Sequence, residues 1–83
     1  MQRQAIITRY HGPTNSLGSR ITAFANAGRM TVSYDPARNP DENHRAAMMA
    51  FCERFQWEAQ SYHPGGLPDG STVWVHVTRE SGA

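Results

Sequence analysis

The sequence predicts a two-layer α+β fold, an antiparallel sheet of about five strands with one helix packed on one side, in the order β-β-β-α-β-β. Three observations predict it. Short alternating apolar runs stand on both sides of a central segment, that segment alone has helical spacing, and glycine-bearing polar turns join the runs in pairs.

The first run, Gln4 to Tyr10, carries Ala5, Ile6, Ile7 and Thr8 and ends at His11-Gly12-Pro13, so it reads as strand one. Residues 13–19 (PTNSLGS) collect side chains that bond their own backbone and read as an ordered loop. From Arg20 to Tyr34, Ile21, Ala23 and Ala25 alternate with Thr22, Phe24 and Asn26, and Met30, Val32 and Tyr34 with Thr31 and Ser33. Asn26-Ala27-Gly28 lies between the two runs, and a glycine there supplies the positive φ of a tight hairpin.

The helix has the strongest local signal. Asn39 is a good N-cap, Pro40 suits the first helical position, and Glu42 is placed to close a capping box. From Pro40 to about Phe55, His44, Met48, Phe51 and Phe55 share one face with Ala47 and Cys52 beside it, while Arg45, Glu53 and Gln56 lie opposite. Beyond it, Trp57 to His63 alternates loosely, residues 64–70 (PGGLPDG) read as turn throughout, and Ser71 to Thr78 alternates cleanly. This second hairpin is expected to turn Val73, Val75 and Val77 inward under the helix together with Trp57 and Ala59, leaving Tyr62, Trp74 and His76 outward. One helix is too narrow to cover five strands, so part of the second face is expected to meet solvent or a partner.

At 83 residues the chain builds one core, taken as a single domain over 1–80 with a tail at 81–83 that has no reason to be ordered. Its 39% hydrophobic and 18% charged residues suit a folded protein rather than a disordered one. Eight basic residues, all Arg, against seven acidic ones leave +1, which speaks against a strong electrostatic nucleic-acid binder. Cys52 is alone and cannot form an internal disulfide, and no apolar run resembles a signal sequence or a membrane span, so a cytoplasmic protein is expected.

Chemistry is sparse. His11, His44, His63 and His76 lack metal-ligand spacing, so neither a metal nor another cofactor is expected. His44 is expected to be packed and bonded to a nearby backbone group, and Cys52 to be a packing residue of raised pKa. Asp41 and Glu42 are explained by the helix dipole, and residues 12–20 lack the lysine and following helix of a phosphate loop. No residue set reads as catalytic, and the chain is not expected to be an enzyme.

Binding is the remaining reading. Its expected surface is the aromatic face of Tyr62, Trp74 and His76, flanked by Arg9 and Arg20 and by loops carrying Asn15 and Leu67. Three fates stay open for those rings: cover by the 11–19 loop, contact with a protein partner or a second copy, or stacking of bases as in an open-sheet RNA reader. The segments TRYHGPTNSLGSRI (8–21), NPDENHRAA (39–47) and GGLPDG (65–70), with the V-W-V strand after them, resemble small proteins encoded on phages, plasmids and genomic islands of proteobacteria. The resemblance implies an interaction protein of a mobile element, such as an inhibitor of a host defence complex of the anti-CRISPR type, or a small nucleic-acid-binding regulator. It carries over no catalytic residues.

Overall fold

The computed structural model describes residues 4–15 and 18–77. Five strands form one antiparallel sheet: β1 (Ile6–His11), β2 (Arg20–Ala25), β3 (Gly28–Ser33), β4 (Tyr62–Gly66) and β5 (Thr72–His76), with α1 (Pro40–Phe55) between β3 and β4. The spatial order is β3-β2-β1-β5-β4. The first strand is therefore central, with one hairpin on each side of it. The element order and fold class are those predicted from the sequence.

The helix begins where its capping chemistry demands. Asn39 accepts from the Glu42 amide at 2.8 Å, and the Glu42 carboxylate accepts from the Asn39 amide at 3.0 Å. It ends at Gln56, which takes the left-handed conformation at φ 60 and returns its N–H to the carbonyls of Cys52 and Glu53. The chain entering the helix is held by Asn43, a buried amide that accepts from the Asp35 N–H at 2.8 Å and donates to the carbonyls of Asp35, Arg38 and Asn39. The helix lies over β1, β2 and β3. At the far end of that layer Gly28, at φ 153, is needed twice over: a Cβ there would stand 2.9 Å from the ring of Phe55.

The second hairpin departs from the expectation in two ways. Residues 64–66 are strand rather than turn, since β4 is a sheet edge, where proline and glycine are tolerated because one side of the backbone makes no ladder. Trp57 to Ser61 is not strand at all, and contains a short 3₁₀ turn at Ala59–Ser61. Strand one starts at Ile6, two residues later than expected, and the Gln4 side chain instead accepts from the Ala27 N–H at 2.8 Å. The tail at 81–83 lies outside the described residues.

The faces of β5 are the reverse of those expected. Ile6 of β1 pairs with Trp74, and Pro64 of β4 pairs with Trp74 from the other side, which sets Trp74 on the helix side with Ile6. Trp74 and Tyr62 are each only 2% exposed and belong to the same core as Ile21, Ala23, Met48 and Phe51, whereas Val75 and Val77 are 48% and 49% exposed. Trp57 and Ala59 do pack against this core, but beside Tyr62 rather than under the valines. The physical reason is volume. A helix centred over β1 to β3 leaves a wide gap above β4 and β5, and large rings fill it where valine side chains would not.

Candidate functional site

Burial of Tyr62 and Trp74 removes the recognition surface expected from the sequence. Tyr62 donates its hydroxyl to the Gln4 carbonyl at 2.9 Å and lies parallel to Trp57, with ring centroids 6.2 Å apart. His76, on the same side, stands edge-on to Tyr62 at 5.4 Å and is partly exposed. In the 11–19 loop Gly12 to Asn15 are exposed, and residues 16 and 17 lie outside the described residues. Asn15 is accessible in that loop, and Leu67 is half-buried in the β4–β5 turn, where its N–H donates to the Ser71 carbonyl at 2.8 Å.

The opposite face of the sheet is the open one. Strand alternation and register place Ile7, Arg9 and His11 of β1, Arg20, Thr22 and Phe24 of β2, Arg29, Thr31 and Ser33 of β3, and Val73 and Val75 of β5 on it. Arg9 and Arg20, both expected at the binding surface, are therefore here, on the other side of the sheet from the aromatics that were to accompany them. The arginine of β1 is well fixed. Its guanidinium carbon lies 5.4 Å over the Phe24 ring, its Nε donates to Ser71 at 3.2 Å, and a terminal nitrogen reaches the Asp69 carboxylate at 3.4 Å. The Ser71 amide and hydroxyl hold the Asp69 carboxyl below its ordinary range, with Arg9 a further contributor.

Charge is segregated between layers. No strand contains Asp or Glu, while β1, β2 and β3 each present one Arg to the open face. The acidic groups among the described residues occupy the helix and the loops. A net charge of +1 thus conceals a basic, partly apolar sheet face.

A second site was not foreseen. At the N-terminal end of α1 a cleft of about 370 Å³ runs between the helix and β4–β5, lined among others by Asp41, His44, Arg45, Gly66, Thr72 and Trp74. Buried His44 is packed and bonded to the Thr8 backbone, as expected. Its Nδ1 lies 2.7 Å from the Thr8 hydroxyl, which also receives the Trp74 indole N–H at 2.9 Å. Burial lowers the His44 pKa, and the nearby Asp41 charge and a hydrogen bond to the Thr8 backbone only partly oppose this. Cys52 is as expected, buried with its thiol pKa raised by desolvation and its sulfur 3.6 Å from that of Met48.

Among the described residues no three His, Cys, Asp or Glu side chains come together as a metal site, and no helix is long and apolar enough to cross a membrane. Comparisons with known protein families, with curated proteins and with solved structures each find no match.

Proposed function

We propose that this chain is a non-catalytic interaction protein that docks an acidic patch of a larger protein against the open face of its sheet. The observation that carries this reading is the charge segregation: Arg9, Arg20 and Arg29 surround the apolar side chains Ile7, Phe24, Val73 and Val75, and no strand supplies a carboxylate. Arginine over and around apolar surface is the composition of protein interfaces, and its planar fork suits carboxylates. The resemblance to small proteins of mobile elements supports a partner within a host defence complex, with inhibition of the anti-CRISPR type as the consequence. Self-association is disfavoured by the like charge that two such faces would bring together.

A nucleic-acid regulator is the second reading, favoured by the same three arginines. Its weakness is stacking. Phe24, the one phenyl ring that the strands place on this face, already has Arg9 over it, whereas single-strand readers stack bases on open rings.

Affinity capture from a bacterial lysate, run with the wild-type chain and with Arg20→Glu/Arg29→Glu, tests the reading. Retention of a partner by the wild type and its loss in a variant with unchanged circular dichroism is expected. Equal retention by both would remove the face from consideration. Titration with single-stranded oligonucleotides at two salt concentrations separates the two readings, because phosphate contacts weaken with salt, and the protein-binding reading predicts no saturable response.

A further inference from the structure

The two edges of the sheet are not equivalent. In an antiparallel ladder, facing pairs alternate between those that exchange both backbone hydrogen bonds and those that exchange neither. The Tyr34 N–H donates to the Ser19 carbonyl at 3.0 Å, which sets the phase between β2 and β3: Ile21 with Val32, Ala23 with Met30 and Ala25 with Gly28 are the bonded pairs. The pairs between them are not bonded, so the N–H and C=O groups of Arg29, Thr31 and Ser33 point away from β2 and off the sheet. These residues are exposed, and their backbone groups make no hydrogen bond with another described residue.

The β4 edge is blunted. There the Leu67 N–H donates to Ser71 and the Val77 N–H to Ser61, each at 2.8 Å, which turns the backbones of Tyr62, Pro64 and Gly66 outward. Pro64, in the middle slot, has no N–H to offer, and the Tyr62 N–H is already given to the Ala59 carbonyl. The β3 edge has no such protection: it contains no proline, its register with β2 is unbroken, and Arg29 is its one charged residue.

A row of outward N–H and C=O groups at strand spacing is matched by another extended backbone. The side chains choose its character. On the open face an added strand would lie beside Arg29, with Arg20 one strand further in, paired with Ser33; on the helix side it would meet the half-buried Met30 and Val32. A second copy fits less well. Pairing β3 with itself about Thr31 sets Arg29 of one copy opposite Ser33 of the other, hence two strands from its Arg20 on the same face. The contact would also be six residues a side, against the roughly 20 of a stable interface. We infer that the β3 edge takes an extended acidic segment of the partner as an antiparallel sixth strand, its carboxylates on the open-face side and its apolar side chains on the helix side. This rests on the docking reading above and adds a backbone anchor to it.

The probe is an acetylated, amidated peptide that alternates glutamate and valine. Its controls are a lysine–valine peptide and the acidic peptide N-methylated at its glutamates, whose N–H groups would meet β3. In the free ¹⁵N-labelled chain the amides of Met30 and Val32 are expected to be protected from exchange and those of Arg29, Thr31 and Ser33 to exchange freely. The acidic peptide should shift and protect those three saturably, with each control binding about tenfold more weakly or worse. Thr31→Pro removes an outward N–H and leaves the β2 ladder whole, as Pro64 does in β4, and should weaken the peptide about tenfold with circular dichroism unchanged. The N-methylated peptide asks the same question of the wild-type chain. No saturable protection of the three amides, or equal binding of either control, would overturn the inference. So would protection that rises with protein concentration in the absence of peptide, which would assign the edge to a second copy. In lysate capture, loss of a partner by Arg20→Glu/Arg29→Glu with full retention by Thr31→Pro would remove the edge and leave the face reading standing.

Discussion

The Thr8 hydroxyl receives the indole N–H of Trp74 at 2.9 Å and stands 2.7 Å from Nδ1 of His44, so one oxygen on the central strand joins the fifth strand to the helix. These groups are buried, and burial makes their pairing consequential: an unmatched donor or acceptor costs about 1–3 kcal/mol.

Thr8→Val keeps the shape and removes the hydroxyl. It leaves the Trp74 N–H and His44 Nδ1 without their shared partner, and a loss of about 2–4 kcal/mol is expected in urea denaturation followed by circular dichroism. Trp74→Phe keeps Thr8 and removes one donor, and its loss beyond that of ring volume is expected to be smaller.

Stability should depend on pH through His44. Its pKa is lowered in the folded chain by burial, against about 6.5 when unfolded. Above the unfolded value both states are neutral and stability is full. As pH falls below it the unfolded chain takes up the proton first, so stability declines until the folded pKa is reached. The Asp41 charge acts on this ring in the opposite direction to burial and only partly offsets it. Urea midpoints measured between pH 7 and 5 should therefore fall for the wild type more steeply than for His44→Asn; parallel curves would contradict the assignment.

The segment before α1 rests on two asparagines of different burial. Asn39→Ala removes an exposed cap and should cost about 1 kcal/mol. Asn43→Ala removes a buried amide with four backbone partners, so its cost is expected to be larger, about 2–3 kcal/mol. Thermal melts of the two variants would give the order.

How far the sequence was legible follows from the range over which its signals act. The helix, Pro40 to Phe55, was readable to the residue because capping and periodicity are local. The Gly28 hairpin was readable for the same reason. The facing of β5 was not, because alternation fixes which residues share a face but not which face is buried. Val73-Val75-Val77 and Trp74-His76 are both apolar enough to be inside, and the choice is made by the pairing of Ile6 with Trp74 and by the gap beside a helix that sits over β1 to β3. The inference that one helix cannot roof five strands was sound, but core aromatics fill the gap. Arg9 and Arg20 were recognised as surface residues while the charge segregation around them was not, since it emerges only when β1, β2 and β3 are laid side by side. The Thr8–His44–Trp74 contact joins residues 36 and 66 positions apart, with no motif to announce it.

The reversed facing makes its own prediction. Val75→Thr, on the open face, should change stability by less than about 0.5 kcal/mol. Tyr62→Ala, in the core, should cost about 3–5 kcal/mol, enough to threaten folding in a domain of this size. Comparable losses in urea denaturation would mean that the two faces had been misassigned.

The most direct measurement of the docking surface is site-specific photo-crosslinking in a bacterial lysate, with the reactive side chain placed either at Val75 on the open sheet face or at Met49 on the outer side of the helix, positions of nearly equal exposure at 48% and 51%. A basic sheet face that docks an acidic protein predicts a discrete adduct from position 75, competed away by unlabelled wild-type chain and by added salt, with none from position 49. An adduct from position 49 and none from 75 would contradict it.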